Sequence, residues 1–279
     1  MKPAQFAYAR AKDLPHALAL WAEAGEDAQI LAGGQSLIAG LGLRLADTPA
    51  LIDINHVPDL AGVTESGDRI RIGAMTRHAE LARNPLVAEH APAIAEAAPL
   101  IAHPAIQARG TIGGSLAYAD PAAEFPACVV ALDAELVVQG QGGERRIPAA
   151  DFFLGLYETA LEPFELLTAI EIPKAGRRRQ TVQELVRRHG DYAIVGIVLA
   201  ADVQGDTLGA AKVVYFGVGD APVVAEGAAR ALEQGDVSAA LKALNDDLDP
   251  PGDLTGGPET KRHLARVILQ RAINALRAQ

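Results

Sequence analysis

The sequence predicts an α+β protein in two parts. Short apolar runs alternate with helical periodicity over the first 55 residues, and from residue 63 to 172 strand-like alternation bounded by turns takes over. Beyond a basic link at 174–179, three strands precede three helices. That link is the expected boundary between one domain at 1–175, with subdomains at about 1–55 and 56–175, and another at 180–279.

Asp13 caps a helix whose apolar face is Leu14, Ala17, Leu18 and Trp21, and Gly25 suits its end. Gln29, Ile30 and Leu31 read as a buried strand that stops at Gly33-Gly34-Gln35-Ser36. A helical stretch to Leu45 and a strand at 50–54 complete a small β-turn-α-β unit. Ser66-Gly67 turns the chain between strands, Thr76 is expected to cap a helix, and the Ala-rich stretch 91–102 reads as one helix ended by His103-Pro104. A helix at 122–132, a hairpin across 140–143 and a strand at 166–172 stopped by Pro173 follow. The second part reads as strands at 181–186, 193–202 and 210–217, a three-stranded antiparallel sheet, with helices at 224–233, 238–244 and 258–277.

Composition excludes several chemistries. With 25 Lys+Arg against 35 Asp+Glu the chain of 279 residues carries a formal charge of -10, which argues against nucleic acid or an anionic membrane as the main partner. A solvated loop is the expected role of the run Arg177-Arg178-Arg179. One cysteine, Cys128, can neither close an internal disulfide nor supply the roughly four thiolates of an iron–sulfur cluster. No stretch has the roughly 20 apolar residues of a membrane span, and residues 1–5 carry no apolar signal core, so the expectation is a cytoplasmic protein.

The motifs of zinc proteases, serine hydrolases and phosphate-loop enzymes are missing, and the seven histidines show no metal-ligand spacing. They read as surface or capping residues, and Cys128 as a buried inert thiol. What stands out is a pair of double-glycine turns, Ala32-Gly33-Gly34-Gln35-Ser36 and Gly110-Thr111-Ile112-Gly113-Gly114-Ser115. Glycine admits φ > 0 and a close backbone approach, and converging N–H groups bind anions. Ser36, Thr111 and Ser115 add hydroxyls. Two facing neutral turns would hold a pyrophosphate without lysines; two tight turns of a compact fold are the alternative on the residues alone.

In order along the chain, AGGQSLI, LRLADTPALIDI, IRIGAMTRHAEL, ARGTIGGSLAYADPAAEFPA, LEPFELLTAIEIP and RRHGDYAIVG resemble the FAD-binding medium subunit of the molybdenum hydroxylases, the carbon monoxide dehydrogenase and xanthine dehydrogenase family. The resemblance covers essentially the whole chain, and TIGGS with ADPAAE is its most specific part. It implies a two-part FAD-binding domain of the PCMH/vanillyl-alcohol-oxidase type followed by a smaller C-terminal domain.

It also implies a site. Ile30, Leu31, Ala32, Gly33, Gly34, Gln35, Ser36 and Leu37 would wrap the FAD pyrophosphate, and Gly110, Thr111, Gly113, Gly114 and Ser115 would close on it. Ile101 and Ala102 precede the second loop where the family has cofactor contacts. Glu124 takes the place of an acid near the ribityl or ribose hydroxyls, Leu167 of a backbone contact, and Tyr192 of an aromatic beside the isoalloxazine ring. No catalytic acid–base pair and no metal ligand are expected in this chain.

By the same resemblance, a large partner carries the molybdopterin cofactor and hydroxylates substrate, a small partner carries two [2Fe–2S] clusters, and FAD relays electrons to an external acceptor, in a dimer of heterotrimers. Gln35 stands where well-known members have His, and Gln183 where the fused xanthine oxidoreductases have Lys, which favours a quinone, dye or oxygen over NAD+ as acceptor. A stand-alone FAD oxidase of the same fold is the other reading. It has little chain to spare for a substrate cap.

Overall fold

The computed structural model describes residues 2–279, so Met1, the first of the residues 1–5 read above as carrying no apolar signal core, lies outside the described residues. The first 55 residues form β1 (Ala7–Arg10), α1 (Leu14–Ala24), β2 (Gln29–Leu31), α2 (Leu37–Leu43) and β3 (Ala50–Asp53). Both β1 and β2 pair in parallel with the central β3, in the order β1-β3-β2. Asp13 caps α1 by accepting from the His16 N–H at 2.8 Å.

The next part comprises β4 (Val63–Ser66), β5 (Arg69–Gly73), α3 (His78–Leu81), α4 (Pro85–His90), α5 (Pro92–Ala97), α6 (Pro104–Gln107), α7 (Ile112–Tyr118), α8 (Glu124–Ala131), β6 (Glu135–Gly140), β7 (Gly143–Pro148), the two-stranded ribbon β8 (Phe153–Gly155) and β9 (Glu158–Thr159), and β10 (Leu166–Pro173). Its antiparallel sheet runs β4-β5-β10-β6-β7. Two expectations fail here. Thr76 caps nothing: its hydroxyl exchanges hydrogen bonds with the Gly62 backbone, and α3 starts after Arg77. The stretch 91–102 is not one helix: α5 ends at Ala97, Pro99 has no N–H to carry the helical hydrogen bonding onward, and Ala102 takes φ 49°.

The last part has β11 (Arg179–Leu185), β12 (Val195–Gln204), β13 (Thr207–Phe216), the two-residue β14 (Val223–Val224), α9 (Glu226–Glu233), α10 (Val237–Asp247) and α11 (Pro258–Ala278). The sheet therefore has four strands, not three, since β14 pairs with the end of β13. Successive residues of a strand face opposite ways, and β12 uses both faces. Ile197, Leu199 and Ala201 pack on the helices α9–α11, while Val198 and Ala200 join a core that includes Phe125, Cys128 and Ile170. All eight residues of α8 are buried, because it lies between that sheet face and the preceding part. The arginine run is not a solvated patch either. Arg178 pairs with Asp133 at 3.2 Å, and Arg179 donates to the Leu276 carbonyl at 3.0 Å.

Candidate cofactor site

The first glycine loop leaves the edge strand β2 and enters α2. Asn55, just past β3, donates through Nδ2 to the carbonyls of Ala32 (2.8 Å) and Leu31 (3.3 Å), and Gln35 Nε2 donates to the Gly33 carbonyl (2.9 Å). Among the described residues no peptide bond is cis, and in a trans peptide the C=O and the following N–H point in opposite directions. Holding the Ala32 and Gly33 carbonyls from one side therefore turns the N–H groups of Gly33 and Gly34 to the other. Among the described residues, no acceptor is found for the backbone N–H groups of Gly33, Gly34, Gln35, Ser36 and Leu37. Gly34, at φ 73°, makes the bend. A run of unpaired N–H groups on a bend is an anion-binding concavity.

The second loop differs from the expected turn. Gly113 and Gly114 lie in the first helical turn of α7, and the N–H groups of Gly110, Ile112, Gly113, Gly114 and Ser115 all find acceptors: Ile106 O, Thr76 O, Ala74 O, Thr111 Oγ1 and Thr111 O. It is a capped helix start, not a second nest, and what it offers a ligand is the Thr111 and Ser115 side chains. Its glycines serve close packing. A Cβ on Gly113 would stand 2.4 Å from Ala74 Cβ, one on Gly110 2.8 Å from His78 Cε1, and one on Gly33 2.4 Å from the Arg109 carbonyl oxygen. The last contact puts the two loops against each other, backbone to backbone.

From that junction α7, about 10 Å long at 1.5 Å per residue, leads to a second group of side chains. Tyr118 at its end meets Tyr157 with ring centroids 5.1 Å apart. Tyr192 is 67% exposed. Its hydroxyl faces Asp120, and desolvation, then the charge of Asp120, pushes its pKa up to about 12. Ile101 and Ala102 come to the same place: Gly190, at φ 85°, would put a Cβ 2.7 Å from the Ala102 carbonyl, and Gln107 Nε2 holds the Ile101 carbonyl at 2.9 Å. Leu167 is buried in β10. Its side chain is core, and its neighbour Thr168 accepts from Ala74 N, the residue on which Gly113 docks.

Glu124 stands at a helix start but is not exposed there. It is 6% exposed at the start of α8, and burial, reinforced by the charges of Glu184 and Asp120, raises its pKa to about 8. Glu184 rises to about 7 by burial, and its Oε2 is buried without a partner. At neutral pH Glu124 is therefore protonated and can donate as well as accept, which suits a row of hydroxyls. His78 corrects the surface reading of the histidines: buried edge-on to Phe125, it has its pKa lowered to about 4. Cys128 is fully buried and burial pushes its thiol up, as expected of an inert one.

Asn55, Arg77, Asp120, Glu184 and the Tyr118–Tyr157 pair were not singled out from the sequence. Arg77, Tyr118 and Asp120 lie inside strings that had a signal, IRIGAMTRHAEL and ARGTIGGSLAYADPAAEFPA, and Asn55 directly follows LIDI, whereas Tyr157 and Glu184 lie on none. An N–H cradle, two hydroxyls and a desolvated acid pair about one short helix apart fit a phosphate-containing cofactor with a polyol chain. No group of three or more His, Cys, Asp or Glu among the described residues is placed to hold a metal, and no described helix is long and apolar enough to cross a membrane.

Comparison with known proteins bears on this site. Residues 4–175 match the model of the FAD-binding domain in molybdopterin dehydrogenase, and residues 180–276 that of the CO dehydrogenase flavoprotein C-terminal domain. The chain is 38% identical over 281 residues to the 6-hydroxypseudooxynicotine dehydrogenase complex subunit alpha of Paenarthrobacter nicotinovorans, covering 98% of this chain and 95% of that protein. It is 36% identical to the carbon monoxide dehydrogenase medium chain of Hydrogenophaga pseudoflava, covering 99% and 98%. A solved structure of carbon monoxide dehydrogenase from Hydrogenophaga pseudoflava, lacking the Mo-pyranopterin moiety of its molybdenum cofactor, superposes with a TM-score of 0.95 at 38% identity, over 100% of this chain and 99% of that one.

Proposed function

The chain belongs to the FAD-binding medium subunits of the molybdenum hydroxylases, and from that premise we propose that it is the electron-relay subunit of its complex. FAD, when bound, supplies the chemistry, taking electrons from [2Fe–2S] clusters of a small partner subunit and giving them to an external acceptor while a large molybdopterin-binding partner hydroxylates the substrate.

This chain's residues bind and orient. The N–H groups of residues 33–37 would hold the pyrophosphate, and that they find no acceptor among the described residues is the single observation that carries the reading. Thr111 and Ser115 close over it; Glu124 takes the polyol; Ile101, Ala102 and Tyr192 line the ring end. Leu167 contributes backbone and support. The lone, buried Cys128 requires that any cluster belong to another chain. The division into domains at 1–175 and 180–279 is part of the same proposal, supported by the change from the mixed sheets to an antiparallel sheet with three helices. So are a dimer of heterotrimers, and a quinone, dye or oxygen as acceptor.

The purified chain should carry one FAD. Its flavin should stay oxidised when given aldehydes or N-heterocycles that reduce the assembled complex. Bleaching of the flavin in the isolated chain would replace this reading with that of a stand-alone oxidase, and a chain that retains no flavin would remove the cofactor reading altogether.

A further inference from the structure

The site has a brace built from residues that the sequence did not single out. Arg77 sits between the two loops at the entry to α3. Its backbone pairs in antiparallel fashion with Thr111, with His78 N donating to Gly110 O at 3.1 Å and Ile112 N to Thr76 O at 3.1 Å. Its side chain forks: Nη1 donates to the Arg109 carbonyl of the second loop, and Nη2 to Asn55 Oδ1 at 2.7 Å. The Asn55 amide in turn holds the Ala32 and Leu31 carbonyls of the first loop. Asn55 itself is oriented by Asp53, whose Oδ1 accepts from its N (2.8 Å) and Nδ2 (2.7 Å), while the other carboxylate oxygen takes the Tyr8 hydroxyl.

We propose that Arg77, acting through Asn55, is a positioning residue for FAD: the fork fixes the spacing of the two loops and the direction of the N–H groups that receive the phosphate. The inference rests on the FAD reading above. The Arg109 carbonyl that Arg77 grips is the atom against which Gly33 packs, so the brace and the loop contact act on one point. The Ala32 carbonyl that Asn55 grips belongs to the peptide whose N–H is Gly33's. A guanidinium makes both bonds at once because its donors are planar and forked, whereas an ammonium on a flexible stem does not reproduce that geometry.

The test measures FAD dissociation constants by flavin fluorescence, and apoprotein Tm, on the full chain. Arg77→Met should raise the Kd about 10- to 100-fold, as loss of bonds to a charged donor does, with little change in apoprotein Tm. Arg77→Lys, which keeps the charge, should recover little of this. Asn55→Ala should weaken binding similarly, and the double variant should be no weaker than the worse single, since the two residues form one linkage. An unchanged Kd in Arg77→Met, full recovery in Arg77→Lys, additive losses, or a Kd change matched by apoprotein unfolding would each overturn the positioning role. A wild-type chain that binds no FAD would instead overturn the cofactor reading on which it rests.

Discussion

Gly33→Ala tests the loop junction with one methyl group. Gly33 does not occupy the left-handed region, so alanine meets no backbone strain there, and the whole effect is steric. Its Cβ would stand 2.4 Å from the Arg109 carbonyl oxygen and 2.9 Å from Gly110 Cα, against an ordinary contact of about 3.5 Å. Both neighbours are backbone, and neither can rotate away, so the loops must part by about 1 Å. Overpacking of this size costs about 1–3 kcal/mol. Because the contact closes the cradle, that cost falls on FAD binding, and at 1.4 kcal/mol per decade the Kd should rise roughly 5- to 150-fold. The control is Gly42→Ala, nine residues on. Gly42 lies within α2 with nothing within 4 Å of its Cβ position, and the substitution should leave the Kd alone while adding up to about 1 kcal/mol of helix stability. Fluorescence titration of both apoproteins with FAD decides it: equal affinities for Gly33→Ala and wild type would refute the packed-loop account.

Two further predictions concern buried charge. A carboxyl whose folded pKa lies above its unfolded one stabilises the fold fully below the unfolded value and loses that contribution as pH rises through the folded value. With Glu124 at about 8 and Glu184 at about 7, both above the usual carboxylate range, the apoprotein should lose stability between pH 5 and 8, by up to about 1.4 kcal/mol per pH unit for Glu124. Glu124→Gln should flatten the profile of Tm against pH, and parallel wild-type and variant profiles would contradict it. Lys261, 2% exposed, pairs with Asp253 at 2.6 Å and donates to the Gly217 carbonyl at 2.9 Å, and the ion pair holds Asp253 well below the usual carboxylate range. Asp253→Ala strands the ammonium and should cost toward the low end of roughly 3–5 kcal/mol in denaturant unfolding. Lys261→Met leaves only a half-exposed carboxylate and should cost less, so the reverse order would be the refuting result.

Which parts of this were legible in the sequence follows from the range of the interactions. The strands at 29–31, 69–73 and 166–172 announce themselves by period and punctuation, both local signals. The Ala-rich stretch misled because alanine favours helix wherever it stands, and the Pro99 signal had to be weighed against six alanines. Gly113-Gly114 read as a turn because adjacent glycines usually make one. Here they tolerate a helix because Ala74, forty residues away, needs the room. Glu124 was placed by resemblance alone. Nothing in its neighbours shows that Glu184, on a strand sixty residues later, would close over the same space. Arg77 was invisible for the same reason: its two side-chain partners lie 22 and 32 residues away, one of them a backbone atom with no sequence signature.

The placement of charge explains how a chain of formal charge -10 can hold an anionic cofactor. The phosphate end is built from neutral N–H dipoles, braced by Arg77, with Arg109 beside it. The acids Asp120, Glu124 and Glu184 stand at the other end of α7, where the same burial that brings them together raises all three pKa values. At neutral pH Glu124, at about 8, is therefore largely protonated and Glu184, at about 7, partly so, with no cation balancing either. The negative field near the cradle is reduced without a lysine, and the protonated Glu124 gains an O–H donor that an ionised carboxylate would lack. Two glycine-rich segments with one nest between them thus present N–H dipoles to a phosphate where a phosphate loop adds a lysine, because burial weakens at its source part of the repulsion a lysine would offset.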